Sequence, residues 1–218
     1  MPIPRKSLLV VLVLAALAAL GIGWRMLFVS DAEDAFTPGE ATGSVAIGSL
    51  DGVWTIASGT AGYRIDEILF GRDVTVTGRT EAVSGTLEAD GSALTGEVVV
   101  GLADVASDSE KRDAQFRGRI MDVERYPEAR LRLDGAVEDL GNGRYRSPAK
   151  LTVKDVTQEV LVEFVVTRTG EGIEVTGNVP LRVSQWPIDP PSIPGIDVED
   201  EMLLEFQVML ANAAQSGN

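Results

Sequence analysis

The sequence contains no cysteine and no histidine. Without cysteine, no disulfide framework, thiol nucleophile or thiolate metal site can form. Without histidine, the commonest metal ligand and the commonest general base are lost together, and a Ser-His-Asp hydrolase triad is excluded. A zinc site would have to rest on carboxylates alone, which is a rare donor set. No G-x-G-x-x-G, P-loop or N-glycosylation sequence occurs either. Positive charge is also scarce. The formal net charge is −14, and because residues 1–30 hold three basic residues and no acids, the remainder carries 16 basic and 33 acidic residues. A body this acidic repels nucleic acid and anionic headgroups, since polyphosphate binding is driven by cationic side chains. Its excess charge reads first as solubility.

What the chain does have, at 218 residues, is material for one domain plus extensions. Arg5 and Lys6 precede an apolar and glycine run at 8–24, whose 17 residues would span about 26 Å as a helix. Extending it to Val29, with Arg25 snorkelling to the interface, covers the ~30 Å hydrocarbon core. Trp24 and Phe28 would then lie at the outer boundary, where aromatic rings are favoured. The basic residues in front predict a cytoplasmic N-terminus, an anchor in the cytoplasmic membrane through 8–29, and an extracytoplasmic remainder. The alternative is a signal peptide cleaved near the small-x-small pattern Ala16-Leu17-Ala18, which would leave a secreted or periplasmic protein. Export follows under either reading.

Residues 31–50 mix acids, glycine, proline and alanine without periodicity and read as a flexible tether. From 51 to 211 the pattern is one of strands parted by glycine-rich turns. Candidate strands cover 53–56, 61–69, 74–79, 83–88, 95–102, 129–133, 144–153, 160–167, 173–183 and 202–210. Period-two alternation is clearest in Val160, Val162, Phe164, Val166 and in Met202, Leu204, Phe206, Val208, Leu210. Residues 212–218 read as a fraying, disordered tail. The fold class is all-β: these ten candidate stretches count as eight or nine strands joined mostly as hairpins, with one helix inserted midway. Closing such a sheet into a barrel removes its exposed edges.

Several short patterns suggest chemistry and fail on their surroundings. Ser147-Pro148-Ala149-Lys150 spells S-x-x-K, but Pro148 and strand-like flanks oppose the helix that motif needs. Asp197, Glu199, Asp200 and Glu201 offer oxygen ligands without the spacing of a calcium loop. Asp108, Glu110 and Asp113 sit beside Lys111 and Arg112 and read as helix pairing and capping. No catalytic pair emerges, and the chain reads as a non-enzyme. The aromatic residues Trp54, Tyr63, Phe116, Tyr126, Phe164, Trp186 and Phe206 lie mainly on strands or at their ends. Either they fill a core, or they line a barrel left partly empty, since eight strands enclose room for one small ligand.

The stretch at 112–133 carries the most distinctive order of signals. A polar helix, with Ser107, Asp108 and Ser109 as candidate N-caps, is weakened by Gly118 and ends before Tyr126-Pro127. An alternating strand with apolar Ala129, Leu131 and Leu133 follows. Arg112-Asp113, Phe116, Ile120-Met121-Asp122-Val123 and Tyr126-Pro127 resemble the signature segment of the YceI-like family, the bacterial polyisoprenoid-binding proteins. Trp54-Thr55-Ile56, Ala61-Gly62-Tyr63-Arg64-Ile65 and Val76-Thr77-Gly78-Arg79 resemble that family's first strands. Leu151-Thr152-Val153-Lys154-Asp155-Val156-Thr157 resembles its L-T-x-x-G-V-T hairpin, with Asp155 in the glycine's place. Aspartate tolerates the left-handed backbone such a turn needs. Many members carry histidines near the second strand and in the central helix, where this chain has Glu67 or its neighbours, and Gln115.

The resemblance spans about 53–210 and implies an eight-stranded antiparallel, lipocalin-like barrel. It further implies non-catalytic binding of a long isoprenoid, a polyprenyl chain or quinone tail, with no other cofactor. The residues expected to line the site are Trp54, Tyr63, Ile65, Phe116, Leu131, Leu133, Phe164, Leu181, Trp186 and Phe206, with the loop at 187–195 framing an opening. The competing expectation is an extracytoplasmic protein–protein interaction module with a solid barrel core.

Overall fold

The computed structural model describes residues 32–36, 45–170, 172–190 and 194–213. The apolar run at 8–29, expected as anchor or signal peptide, lies outside them. Among the described residues no helix is long and apolar enough to cross a membrane.

Strands are β1 (Gly52–Leu69), β2 (Arg72–Thr80), β3 (Val83–Asp90), β4 (Ala93–Gly101), β5 (Ala106–Ser107), β6 (Glu128–Ala136), β7 (Glu138–Gly141), β8 (Arg144–Val153), β9 (Val156–Arg168), β10 (Ile173–Arg182) and β11 (Ile196–Asn212). Every pairing is antiparallel, and β11 returns to β1 to close the sheet. β2 and β3 form one bent wall, because β1 pairs with β3 at Gly52–Thr55 and with β2 at Ala61–Leu69. The ring therefore has eight walls: β1, β2 with β3, β4, β6, β8, β9, β10 and β11. This is the all-β barrel that the alternation implied.

The strands expected at 53–56 and 61–69 are one element. β1 runs through both, with a register shift against β11 between Ile56 and Ser58. Such a bulge adds a residue and reverses the face on which following side chains fall. Trp54 and Ile56 point inward before it, and Ala61, Tyr63 and Ile65 after it. At the β8–β9 turn Lys154 and Asp155 both have left-handed backbones, φ 49° and 62°, so Asp155 does take the glycine's role.

The β3–β4 ladder ends at Val83 and Val100, beyond which β2 stays with β1. Residues 102–127 cross that gap. β5 pairs with β2, and a short helix, α1 (Glu110–Gln115), runs into a π turn at Phe116–Ile120 before β6 begins. The capping expected from residues 107–109 is corrected in its detail. Ser109 holds the N-cap position without a side-chain cap. Instead the buried Asp113 carboxylate accepts bonds from the Ser107 amide at 2.8 Å and hydroxyl at 2.6 Å, tying helix to β5.

The far end is closed by residues read from sequence as tether. Val45 and Leu50 are buried in the core, the Val45 amide donates to Val166 O at 3.1 Å, and the Tyr145 hydroxyl donates to Val45 O at 3.0 Å. Residues 33–36 lie on the outer wall, where Arg79 meets Glu33 at 2.6 Å and covers the Phe36 ring at 4.1 Å. A flexible tether thus does not describe 33–36 or 45–50. The expected tail is shortened as well, because β11 extends to Asn212 and the Ala213 amide donates to Val53 O. Isolated polar and glycine-bearing stretches give no periodic signal, so sequence cannot separate a docked segment from a loose one.

Candidate functional site

The lumen is lined by the inward rows of the eight walls. On β8 and β9 these rows, Tyr145 to Val153 and Val160 to Val166 at every second residue, are buried, and Val156 at the start of β9 is partly so. On β1, β3, β4, β6 and β11 they are not. Ile56, Tyr63, Leu87, Val98, Leu131, Leu204 and Phe206 point inward, pack on the core cluster and keep part of their surface uncovered. The register places them as neighbours: Leu131 opposite Val98, Leu87 opposite Trp54, Phe206 opposite Ala61.

Nine of the ten expected lining residues belong to this one apolar cluster. Ile65 belongs to a smaller one with Val76 and Val183, joined to the first through Tyr63, Ile188 and Met202. Of the ten, Ile65, Leu133, Phe164, Leu181 and Trp186 are buried, whereas Trp54, Tyr63, Phe116, Leu131 and Phe206 retain accessible surface. The expected set omitted Leu87 and Val98. Leu87 lies in the alternation of Val83, Gly85, Leu87 and Ala89 on β3, where small residues dilute the apolar face, and Val98 lies in that of Gly96, Val98 and Val100 on β4.

Two tryptophans fix the ends of the lumen. The Trp54 indole donates to Leu50 O at 2.7 Å, tying the floor to the wall. The Trp186 indole donates to Val156 O at 3.0 Å and anchors the start of the 187–195 loop at the mouth. At the mouth Phe116 stacks on Tyr63, ring centroids 5.6 Å apart and 13° from parallel. Tyr63 in turn lies over Gly78, where a Cβ would fall 2.5 Å from the ring. A glycine is required there because the aromatic ring occupies the space of the side chain.

The inward row Ala61, Tyr63, Ile65 ends in Glu67, beside Arg112 and Asp108 of the helical segment. Burial raises the Glu67 carboxyl above its ordinary range, Arg112 pulls it down, and Asp108 raises it further. Burial likewise pushes the Tyr63 hydroxyl up to about 12. Arg112 and Asp108 form an ion pair one helical turn apart. This end of the barrel therefore places a narrow polar group above the apolar interior. Gln115, on α1, is half-buried at the same end.

Other suggestive patterns resolve into structure. Ser147 faces inward and is completely buried, while Lys150 is exposed on the opposite face of β8, so S-x-x-K forms no pair. Asp200 accepts from the Ser184 amide and hydroxyl at 2.7 and 2.8 Å, which holds its carboxyl below the ordinary range. Glu201 meets Arg182 at 3.4 Å. Among the described residues no carboxylates cluster as metal ligands. A cleft of about 130 Å³ lies on the outer wall between Phe36, Arg144, Glu163 and Glu205. Its charged lining suits no alkyl chain.

Comparison with known proteins matches a YceI-like domain over residues 54–210. Among solved structures, Burkholderia cenocepacia BcnA superposes with a TM-score of 0.57 at 18% identity, covering 69% of this chain and 96% of that one. A polyisoprenoid binding domain from Saccharophagus degradans, implicated in plant cell wall breakdown, gives 0.57 at 13% identity over 73% and 98%. At these identities the likeness is one of fold. A 75-residue stretch is 35% identical to the muscle M-line assembly protein unc-89 of Caenorhabditis elegans, and the chain spans only 1% of that protein's length.

Proposed function

This chain belongs to the YceI-like family, and on that premise we propose that its barrel binds a long apolar isoprenoid or related lipid, a polyprenyl chain or quinone tail. The YceI-like barrel is a binding fold and not a catalytic one. One observation carries the proposal: inward apolar side chains on β1, β3, β4, β6, β10 and β11 keep uncovered surface, while those on β8, and on β9 from Val160 to Val166, do not. Burying apolar area contributes about 25 cal/mol per Å², so an alkyl chain laid along those rows gains affinity without any reactive group. The solved Saccharophagus degradans relative, described as polyisoprenoid binding, supports the ligand class. The leading apolar run at 8–29, behind Arg5 and Lys6, supports a barrel held on the outer side of the cytoplasmic membrane.

Organic extraction of the purified full chain, followed by mass spectrometry, is expected to release a polyprenyl lipid or quinone. Added polyprenol is expected to enter the emptied barrel and alter tryptophan fluorescence, Trp54 and Trp186 being at its two ends. A chain that yields no lipid and takes up none would favour the interaction module instead.

A further inference from the structure

Phe70 and Gly71 form the two-residue turn of the β1–β2 hairpin, closed by the Leu69–Arg72 pair. Their φ angles are +50° and +78°. A turn with both central residues left-handed favours asparagine, aspartate or glycine, and a bulky side chain there is a conformational outlier. Phe70 is also 55% exposed, and Ile68, two residues earlier, is 37% exposed. Among the described residues the other large exposed apolar side chains, Val53 and Leu161, stand singly at the floor end and on the outer wall. An unfavourable backbone and an unfavourable exposure thus coincide at one position. Strain of this kind, held in place by its surroundings, marks functional sites.

The tip is held firmly. The Phe70 amide donates to Gly195 O at 2.6 Å, and the ring lies so close to Gly195 that a Cβ there would fall 2.5 Å from it. Phe70 is therefore braced against Gly195, at the end of the 187–195 loop. Directly beneath is the small apolar cluster of Ile65, Val76 and Val183, continuous with the lumen through Tyr63 and Met202.

We propose that this hairpin tip docks the mouth of the barrel on a zwitterionic bilayer surface, with Phe70 and Ile68 entering the headgroup boundary. The inference rests on the reading of the barrel as a lipid carrier. An isoprenoid chain passing from a membrane to the lumen would otherwise cross water, and a mouth seated on the bilayer removes that step. Aromatic and aliphatic groups at a loop tip suit the interfacial layer. The cross-strand partners of Ile68 are Asp73 and Asp197, so an anionic surface is disfavoured and entry stays shallow. Arg72, next to the tip, can extend its charge to the headgroups.

The test uses the full chain in phosphatidylcholine vesicles containing lipids brominated along the acyl chain. Fluorescence added by Phe70→Trp is expected to be quenched roughly twofold, and that added by Val53→Trp, at the opposite end, to be unaffected. Equal behaviour of the two positions would overturn the proposal. In a second arm, Phe70→Asn supplies a residue the turn prefers, so the variant is expected to keep or raise its Tm. Its uptake of polyprenol from vesicles should nonetheless slow roughly tenfold, the loss of one large interfacial side chain. Uptake from detergent micelles should be unchanged. Uptake from vesicles at the parental rate would overturn the docking role. Failure of the parent to load from micelles would instead sink the carrier reading, while the quenching arm still decides the tip.

Discussion

The floor and the mouth of this barrel are built from different materials. At the floor, Val45, Leu50, Tyr145, Val166, Ile173 and Leu210 meet in complete burial, and hydrogen bonds from Tyr145 and Trp54 fasten a non-periodic segment across the opening. At the mouth, an aromatic stack, a charged trio and a strained hairpin turn stand over buried Ile65, Val76 and Val183, and Tyr63 and Phe116 there, like Trp54 at the floor, remain partly uncovered. The first arrangement is what stability requires, because close packing leaves no void to penalise. The second forgoes part of that packing, and the uncovered surface is what a ligand would cover. The same division runs around the wall, with the inward row of β8 buried throughout and those of β1, β3, β4 and β6 partly uncovered.

That contrast can be broken by substitution. Ile173→Ala at the floor, 2% exposed, is expected to cost about 2–5 kcal/mol in urea unfolding while leaving lipid selectivity alone. Oversized residues compare the two sides of the lumen directly. Leu151→Trp on the packed side should cost at least about 1–3 kcal/mol, as overpacking does. Leu131→Trp on the uncovered side should cost less than about 1 kcal/mol and abolish polyprenol uptake, because the ring occupies the ligand's space. Equal costs at the two positions would mean that the lumen is filled throughout. Gly78→Ala is expected to cost about 1–3 kcal/mol by driving Tyr63 off its glycine, and to loosen lipid retention with it.

A finer test uses pH. Glu67 has its pKa raised by burial, so the folded state holds that proton more tightly than the unfolded one. Its contribution is complete below the ordinary carboxylate pKa and is lost as pH rises through the folded value. Glu67→Gln should remove that decline from the acid side of the stability profile. Tyr63 has the same sign higher up: its contribution persists to about its ordinary value of 10.0 and is lost as pH climbs towards about 12, as tyrosinate absorbance would report. Glu163, on the outer wall, has the opposite sign. The Arg146 hydrogen bond lowers its pKa, so its contribution is present above the ordinary carboxylate pKa and is lost as pH falls through the folded value. The smallest effect is expected for Arg79→Ala, which frees residues 33–36 from the outer wall at a cost below about 1 kcal/mol, detectable as faster proteolysis there.

Much of the architecture was legible because period-two alternation is a local property. Val160 to Val166, Met202 to Leu210 and Ala129 to Leu133 each declare an inward face from their own neighbours. Parity on a strand likewise decides that Trp54, Phe164 and Phe206 face in. The Asp155 turn was readable from the tolerance of aspartate for left-handed backbone. By contrast, Val45 and Leu50 sit in a glycine- and serine-bearing stretch whose burial depends on Val166 and Tyr145, both far along the chain. Phe70 gave no turn signal at all, because its position contradicts local preference and is imposed by the hairpin and Gly195.

The order of apolar and polar residues alone thus determined an all-β body of hairpins with a helical insertion, without thiol or imidazole chemistry. Only the closed sheet decided which inward rows touch one another and which stay uncovered, that one bulge makes two expected strands a single wall, and that Glu67, Arg112 and Tyr63 share a rim. The physical reason is the range of the forces involved. Alternation and turn preference act over a few residues, whereas cavity, floor and mouth exist only where segments a hundred residues apart compete for the same volume.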